Sequence, residues 1–230
     1  MEEENKRCIP NVLSIAGVDP SGGAGLLADV KTISALGAYA CGIVTALTAQ
    51  STRTVSGISD VPPAFISEQM ETLFDDVRID AVKIGMLSKP ETIYAVAASL
   101  RRHRPRFVVL DPVITAKSGA VLLRPEAIGA LKEQLLPLCD IVTPNIPEAM
   151  ELLGRKGALS AEAMPEAAGE MFQRFGGKAM IYLKGGHLEG DQMVDVIWDG
   201  KSMRRLESWK IHTRNTHGTG CALSSALAAL

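Results

Sequence analysis

The sequence predicts an α/β fold, a single-domain three-layer α/β/α sandwich with a mainly parallel central sheet. Three observations lead there. Short aliphatic or β-branched runs alternate with longer helix-like segments along all 230 residues. Most runs are near-continuously apolar, the pattern of strands covered on both faces. Each of the first six runs is followed by glycine or polar residues, at the carboxyl ends where open α/β sheets bind ligands.

The strand runs are Val12–Ala16, Cys41–Leu47, Ala81–Ile84, Phe107–Leu110, Asp140–Val142, Met180–Leu183 and Val194–Trp198. Between them, helices are expected at 24–36, 63–75, 89–103, 125–137, 146–153 and 160–175. The first carries Leu26, Val30, Ile33 and Ala35 at helical spacing and is stopped by Gly37. Asp199-Gly200 joins Val194–Trp198 to Met203–Trp209 as a hairpin at a sheet edge. The terminal run Ala222–Leu230, rich in Ala, Leu and Ser, reads as a helix. Gly154–Ser160 and Leu188–Gln192 are polar loops. No linker, repeat or low-complexity tract divides the chain, so one domain over 12–230 is expected behind an N-terminal tail of residues 1–11.

Composition narrows the function. Hydrophobic residues make up 47% of the chain, enough for a sizeable core, and the net charge is −2. A chain so balanced gives no electrostatic case for nucleic acid or an anionic membrane surface, so a small molecule is the expected partner. The four cysteines, Cys8, Cys41, Cys139 and Cys221, are scattered without C-x-x-C spacing, which argues against zinc and against a disulfide framework. With a charged N-terminus and no apolar stretch of about 18 residues, a soluble protein in the reducing cytoplasm is expected. The chain stops inside an apolar helical run without a stop signal, so a C-terminal helical segment is expected to be missing.

The strand ends supply the chemistry. They are Gly17, Thr48-Ala49-Gln50, Gly85-Met86, Asp111-Pro112-Val113, Thr143-Pro144-Asn145 and Lys184-Gly185-Gly186-His187, and all should converge on one rim. Gln50 ends an apolar strand with a side-chain amide, a donor beside an acceptor. That pair matches an amino group next to a ring nitrogen, as in an aminopyrimidine. Asp111 and Glu148 are candidate outer ligands for a hard cation, and Lys184 is a candidate phosphate partner; Mg²⁺ commonly takes few carboxylates and completes its shell with phosphate and water.

Two glycine loops complete the set. Ala16 to Gly25 has the Gly-x4-Gly spacing of a P-loop, but Gly23-Ala24 stands where Lys-Ser/Thr is required. Its glycines, at a helix start, offer close backbone approach to a flat or small ligand. Asp29, in the following helix, is a solvated side chain or a ligand contact. Asn215-Thr216-His217-Gly218-Thr219-Gly220-Cys221 enters the terminal helix and reads as an anion cradle, with His217 shaping the turn. In the first helical turn the thiolate of Cys221 is expected to be stabilised, below the free thiol value of about 8.5. The alternative is a glycine loop entering a buried helix with a core cysteine.

In combination, Ala16-Gly17-x-Asp19-Pro20-Ser21-Gly22-Gly23-Ala24-Gly25, Val82-Lys83-Ile84-Gly85-Met86-Leu87, Leu110-Asp111-Pro112-Val113, Thr143-Pro144-Asn145-x-x-Glu148-Ala149, Lys184-Gly185-Gly186-His187 and the Asn215–Cys221 turn resemble the hydroxymethylpyrimidine/phosphomethylpyrimidine kinases of thiamin biosynthesis, which have the ribokinase-like fold. The resemblance runs from Val12 to Leu230. It implies successive ATP-dependent phosphorylation of 4-amino-5-hydroxymethyl-2-methylpyrimidine to the monophosphate and then the diphosphate. It also implies that Gln50 reads the aminopyrimidine edge while Gly17, Ala24, Asp29, Met86 and Val113 line the ring pocket. Asn145, Thr216, Glu148 and Lys184 would hold nucleotide phosphates with Mg²⁺, and Asp111 would join Glu148 through the phosphates. Gly218, Thr219, Gly220 and Cys221 would form the anion hole. A homodimer is implied as well, with further helical structure beyond the equivalent of Leu230.

Broader ribokinase relatives place Asp where Cys221 stands. A fixed carboxylate would repel the second acceptor, already a phosphate, whereas a largely neutral thiol with accessible ionisation tolerates both. Pyridoxal kinases share the first loop and the H-G-x-G-C ending and are the nearer alternative, but they tend to lack the equivalents of Gln50 and Lys184, so both residues favour the pyrimidine kinase. A non-catalytic pyrimidine-binding regulator is the more distant one, and it would have no use for Cys221, Lys184 or Glu148.

Overall fold

A computed structural model describes residues 9–116 and 119–230. Residues 1–8 of the expected tail, with Cys8, lie outside the described residues. Nine strands form one sheet in the order β3-β2-β1-β4-β5-β6-β7-β8-β9. The six central strands, β2 (Tyr39–Gln50), β1 (Asn11–Val18), β4 (Ala81–Ile84), β5 (Phe107–Leu110), β6 (Ile141–Val142) and β7 (Met180–Leu183), run parallel. β3 (Val55–Asp60) closes one edge antiparallel, and the hairpin β8 (Gln192–Trp198) to β9 (Met203–Trp209) closes the other.

Helices cover both faces, as the continuous apolar strands require. Successive strand residues point to opposite faces, so Val12 joins Ile33 of α1 (Gly25–Ala35) and Ala228 of α7 (Thr219–Ala229) in a smaller cluster. Leu13 and Ile15 enter the main core on the other face, with α2 (Pro63–Asp76), α3 (Pro90–His103), α4 (Ala127–Ala130), α5 (Ile146–Leu153) and α6 (Met164–Arg174). α1 and α7 pack together, which brings the two glycine loops at their N-termini side by side. No helix among the described residues is long and apolar enough to cross a membrane.

Two elements differ from the sequence expectation. β3 is unanticipated because Val55-Ser-Gly-Ile-Ser-Asp is short and weakly apolar; its extended form comes from pairing with β2. The expected helix over 125–137 divides into α4, a π turn at Leu131–Leu135 and a 3₁₀ turn at Leu136–Leu138. Pro137 has no N–H for the helical ladder, so a regular α-helix cannot continue through it.

Candidate active site

The strand ends do converge. A cavity of about 1470 Å³ opens along the carboxyl rim of the sheet, and its walls include Gly17, Gln50, Met86, Asp111, Val113, Asn145 and Lys184. Ala24, Glu148 and the turn Thr216, Gly218, Thr219, Gly220, Cys221 border the same space. Thr48 Oγ1 lies 2.9 Å from the Val18 carbonyl oxygen and 3.1 Å from Gln50 Oε1, fixing the amide at the mouth of β2.

Asp29 is the exception among the expected site residues. It is 0% exposed and does not border the cavity. Its Oδ2 accepts from Ser14 Oγ at 2.6 Å and from Lys83 Nζ at 2.8 Å, and its Oδ1 from Ser225 Oγ at 2.8 Å. A carboxylate on the inner face of α1 points between α1, the sheet and α7, so the expectation of a ring-pocket contact is corrected to a buried ionic tie.

The second glycine turn enters a helix, as its sequence suggests. Gly218 takes a left-handed conformation (φ 78°) at the N-cap of α7. Among the described residues, the N–H groups of Gly220 and Cys221 have no backbone or side-chain acceptor, as the first turn of a helix leaves them. They join the positive end of the helix dipole, an arrangement suited to a phosphoryl group. Thr216 borders the cavity with its hydroxyl oxygen buried and without a partner among the described residues, the condition of a group whose acceptor or donor arrives with a ligand.

Gly23, Gly25 and Gly218 correct the reading of the first loop. A Cβ on Gly25 would stand 2.3 Å from the Gly17 carbonyl oxygen, one on Gly23 2.4 Å from the His217 ring, and one on Gly218 1.7 Å from the Gly23 carbonyl oxygen. Gly23 and Gly218 let the two loops press against each other, and Gly25 lets the first loop fold back onto the end of β1, so close packing of backbone requires all three. His217 then clamps the pair, its Nε2 lying 2.7 Å from Asp19 Oδ2. Asp19, 2% exposed, also accepts from the Ser21 and Ala24 N–H groups and the Ser21 hydroxyl.

Burial by itself would raise the pKa of Asp19, but these hydrogen bonds, led by His217, outweigh it and hold the carboxyl below its usual 3.8. A depressed folded pKa stabilises the protein above the unfolded value and loses that contribution as pH falls through the folded one. Asp19→Asn is therefore expected to cost about 2 kcal/mol at pH 6 and to converge with the unaltered protein as pH drops below 3.8, read by thermal melting at both pH values. Asp19 escaped notice as a functional residue; its D-P-S-G context, an Asx-turn signature, is the signal that could have found it.

The rim around α5 and β7 is equally tied. Asn145 caps α5 and Glu148 returns the bond: Glu148 N donates to Asn145 Oδ1 at 2.9 Å, and Asn145 N to Glu148 Oε2 at 2.8 Å. T-P-N-x-x-E is thus a capping box, worth about 1 kcal/mol to the helix, as well as a rim of the cavity. Lys184 Nζ donates to Asp111 Oδ1 at 2.8 Å, and Thr143 Oγ1 lies 3.1 Å from the same oxygen. Gly220 leaves room for this pair, since its Cβ would sit 3.3 Å from Lys184 Nζ and 3.4 Å from Asp111 Oδ2.

Burial, then the neighbouring Asp111 charge, pushes Glu148 up to about 8. Burial opposes the charge of Lys184, but Asp111 and Glu148 more than offset it and its pKa is raised. Two buried carboxylates under mutual repulsion, with no third protein ligand among the described residues, fit Mg²⁺ that takes its remaining oxygens from phosphate and water.

Cys221 departs from expectation. Burial pushes its thiol above the usual value, and Asp111 and Asp29 add to that; Lys83 and the Gly25 backbone pull the other way without prevailing. The helix N-terminus does not compensate for lost hydration, which favours the protonated thiol. Cys41 and Cys139 are buried and free, away from the cavity.

A mainly parallel α/β sandwich whose rim cavity is bordered by a glycine turn at a helix N-terminus, a buried lysine and two carboxylates is the architecture of a ribokinase-like small-molecule kinase. Comparison with known proteins narrows this. The family model described as phosphomethylpyrimidine kinase matches residues 19–230, and the chain belongs to that family. It is 51% identical to the hydroxymethylpyrimidine/phosphomethylpyrimidine kinase of Rhizobium meliloti, over 94% of this chain and 80% of that protein. It is 50% identical to a thiamine biosynthesis bifunctional protein of Geobacter sulfurreducens over 95% of this chain, and spans 44% of that longer protein.

Among solved structures, phosphomethylpyrimidine kinase of Clostridium difficile superposes with a TM-score of 0.83 at 40% identity, covering 96% of this chain and 89% of that one. An ADP complex of Bacillus subtilis pyridoxal kinase superposes with a TM-score of 0.87 at 34% identity, covering 96% and 84%. Backbone similarity therefore does not separate the two activities. Identity does favour the pyrimidine kinase.

Proposed function

We propose that this chain phosphorylates 4-amino-5-hydroxymethyl-2-methylpyrimidine to its monophosphate and then to its diphosphate, with ATP as phosphoryl donor, using the residues of the rim cavity. The observation that carries this reading is that Gln50 and the Thr219 turn border one space, so a heterocycle held by the first presents its substituent to the second. Gln50 pairs its amide with the amino group and adjacent ring nitrogen, while Gly17, Ala24, Met86 and Val113 enclose the ring.

In the first reaction the hydroxymethyl oxygen forms a bond to the γ-phosphorus as the bond to ADP breaks, and its proton passes to the sulfur of Cys221 in its thiolate form, which becomes the thiol. In the second, an oxygen of the monophosphate attacks and carries no proton that must be removed. The free N–H groups of Gly220 and Cys221, with Lys184, stabilise the charge that builds on the transferred group. Asn145 and Thr216 hold nucleotide phosphates. Asp111 and Glu148 would hold Mg²⁺ through those phosphates, where the ion supplies charge neutralisation.

A homodimer belongs to this reading too. The edge hairpin β2–β3 exposes Leu47 and Ile58, and light scattering of the purified chain would show a mass of two copies.

The test of substrate choice is Gln50→Leu. A site built to hydrogen-bond a polar edge rejects loss of that bond by large factors, so kcat/KM for the aminopyrimidine alcohol is expected to fall about 100-fold or more. Equal or faster turnover of pyridoxal by the unaltered protein would overturn the assignment.

A further inference from the structure

Lys83 lies in the middle of β4, a strand buried along its whole length, and is itself 0% exposed. Its side chain occupies the space over Gly85, whose Cβ would stand 2.9 Å from Lys83 Nζ, so the glycine of the Val82–Leu87 motif makes room for it. Among the described residues its one hydrogen-bond acceptor is Asp29. An ammonium carries three donors, and Lys83 and Cys221 both border the cavity.

The tie to Asp29 aims this charge. Asp29 also accepts from Ser225, which lies four residues after Cys221 and so on the same face of α7. Asp29, Ser14 and Ser225 thus pin β1, α1 and α7 around the lysine, one helical turn from the sulfur. A buried ion pair is weak evidence for stability, since well-packed apolar residues do as well. A role in the chemistry accounts for it better.

We propose that the buried Lys83 ammonium, held by Asp29, is the countercharge for the Cys221 sulfur when that sulfur carries negative charge. Lys83 is a positioning residue: it touches no substrate, but sets how readily Cys221 ionises to accept the hydroxymethyl proton. The other charged groups acting on the sulfur are Asp29 from α1, Asp111 beyond β5 and Lys184 beyond β7. The two carboxylates oppose its ionisation, and Lys83 is the strongest influence in its favour. The inference deepens the assignment of Cys221 as base and rests on it.

The sulfur can be read directly. Cys221 is half-buried on the cavity wall while Cys41 and Cys139 are buried, so iodoacetamide labelling followed by peptide mass spectrometry reports its thiolate against pH. Lys83→Met is expected to move the profile to higher pH and slow labelling about tenfold at pH 8. Because that variant leaves Asp29 buried without its partner, the double variant Asp29→Asn, Lys83→Met is measured beside it. It lacks both charges and should fold, yet label at least threefold more slowly than the unaltered protein.

A double variant with the original profile would overturn the proposal, since a merely structural pair is replaced without effect on the sulfur. Retention of alcohol phosphorylation by Cys221→Ser would refute Cys221 as base, and the labelling result would still decide the countercharge.

Discussion

Cys221→Ala is expected to slow phosphorylation of the pyrimidine alcohol by about 10²–10⁴-fold, the usual contribution of a positioned general base. Phosphorylation of the monophosphate should lose less than tenfold. The asymmetry follows from the acceptors: the alcohol must shed a proton as its oxygen bonds to phosphorus, whereas the phosphate already presents an anionic oxygen. The raised pKa of Cys221 adds a signature, because the reactive form is the ionised one. In the unaltered protein the alcohol step should speed up from pH 7 toward 9 more steeply than the phosphate step. Single-turnover assays of each step, across pH and with each acceptor, measure both effects. Equal losses in the two steps would refute the division of labour.

The second large effect is expected from Gly218→Ala. The position has φ 78°, and a methyl group there would stand 1.7 Å from the Gly23 carbonyl oxygen and 2.8 Å from its carbon. Backbone cannot yield as a side-chain tip would, so the two loops must separate. That moves the free amides of Gly220 and Cys221 and breaks the register between His217 and Asp19. Removing one oxyanion donor costs about 10²–10³ in kcat, and this change displaces two, so both phosphorylations should fall at least 100-fold. Positive φ and the collision together should also lower stability by about 2 kcal/mol or more, seen as a lower melting temperature. If Gly218→Ala kept full activity, the anion hole would have to be elsewhere.

Much of this site was legible before any coordinates. Strand ends are local features: an apolar run that stops at Gln50, Asp111, Asn145 or Lys184 states both the strand and the residue at its tip, and parallel sheets bring such tips to one edge. The capping box at Asn145 and Glu148 also fits within four residues. The pKa of Cys221 was misjudged because a helix N-terminus is visible in sequence, while the burial that outweighs it belongs to the packed state. Asp29 was misplaced for a related reason. Helical spacing puts it beside an apolar face but does not say whether that face meets ligand or protein.

The amino-acid sequence by itself determined the parallel α/β architecture and most of the strand-end residues that border the rim cavity, because periodicity, caps and strand ends act over a few positions. Only the tertiary structure decided which of those residues meet. Asp29 finds Lys83 and Ser225 across 54 and 196 positions, and His217 finds Asp19 across 198. Such contacts depend on how α1 and α7 pack on the sheet, and a buried charge shows no local mark of the partner it needs.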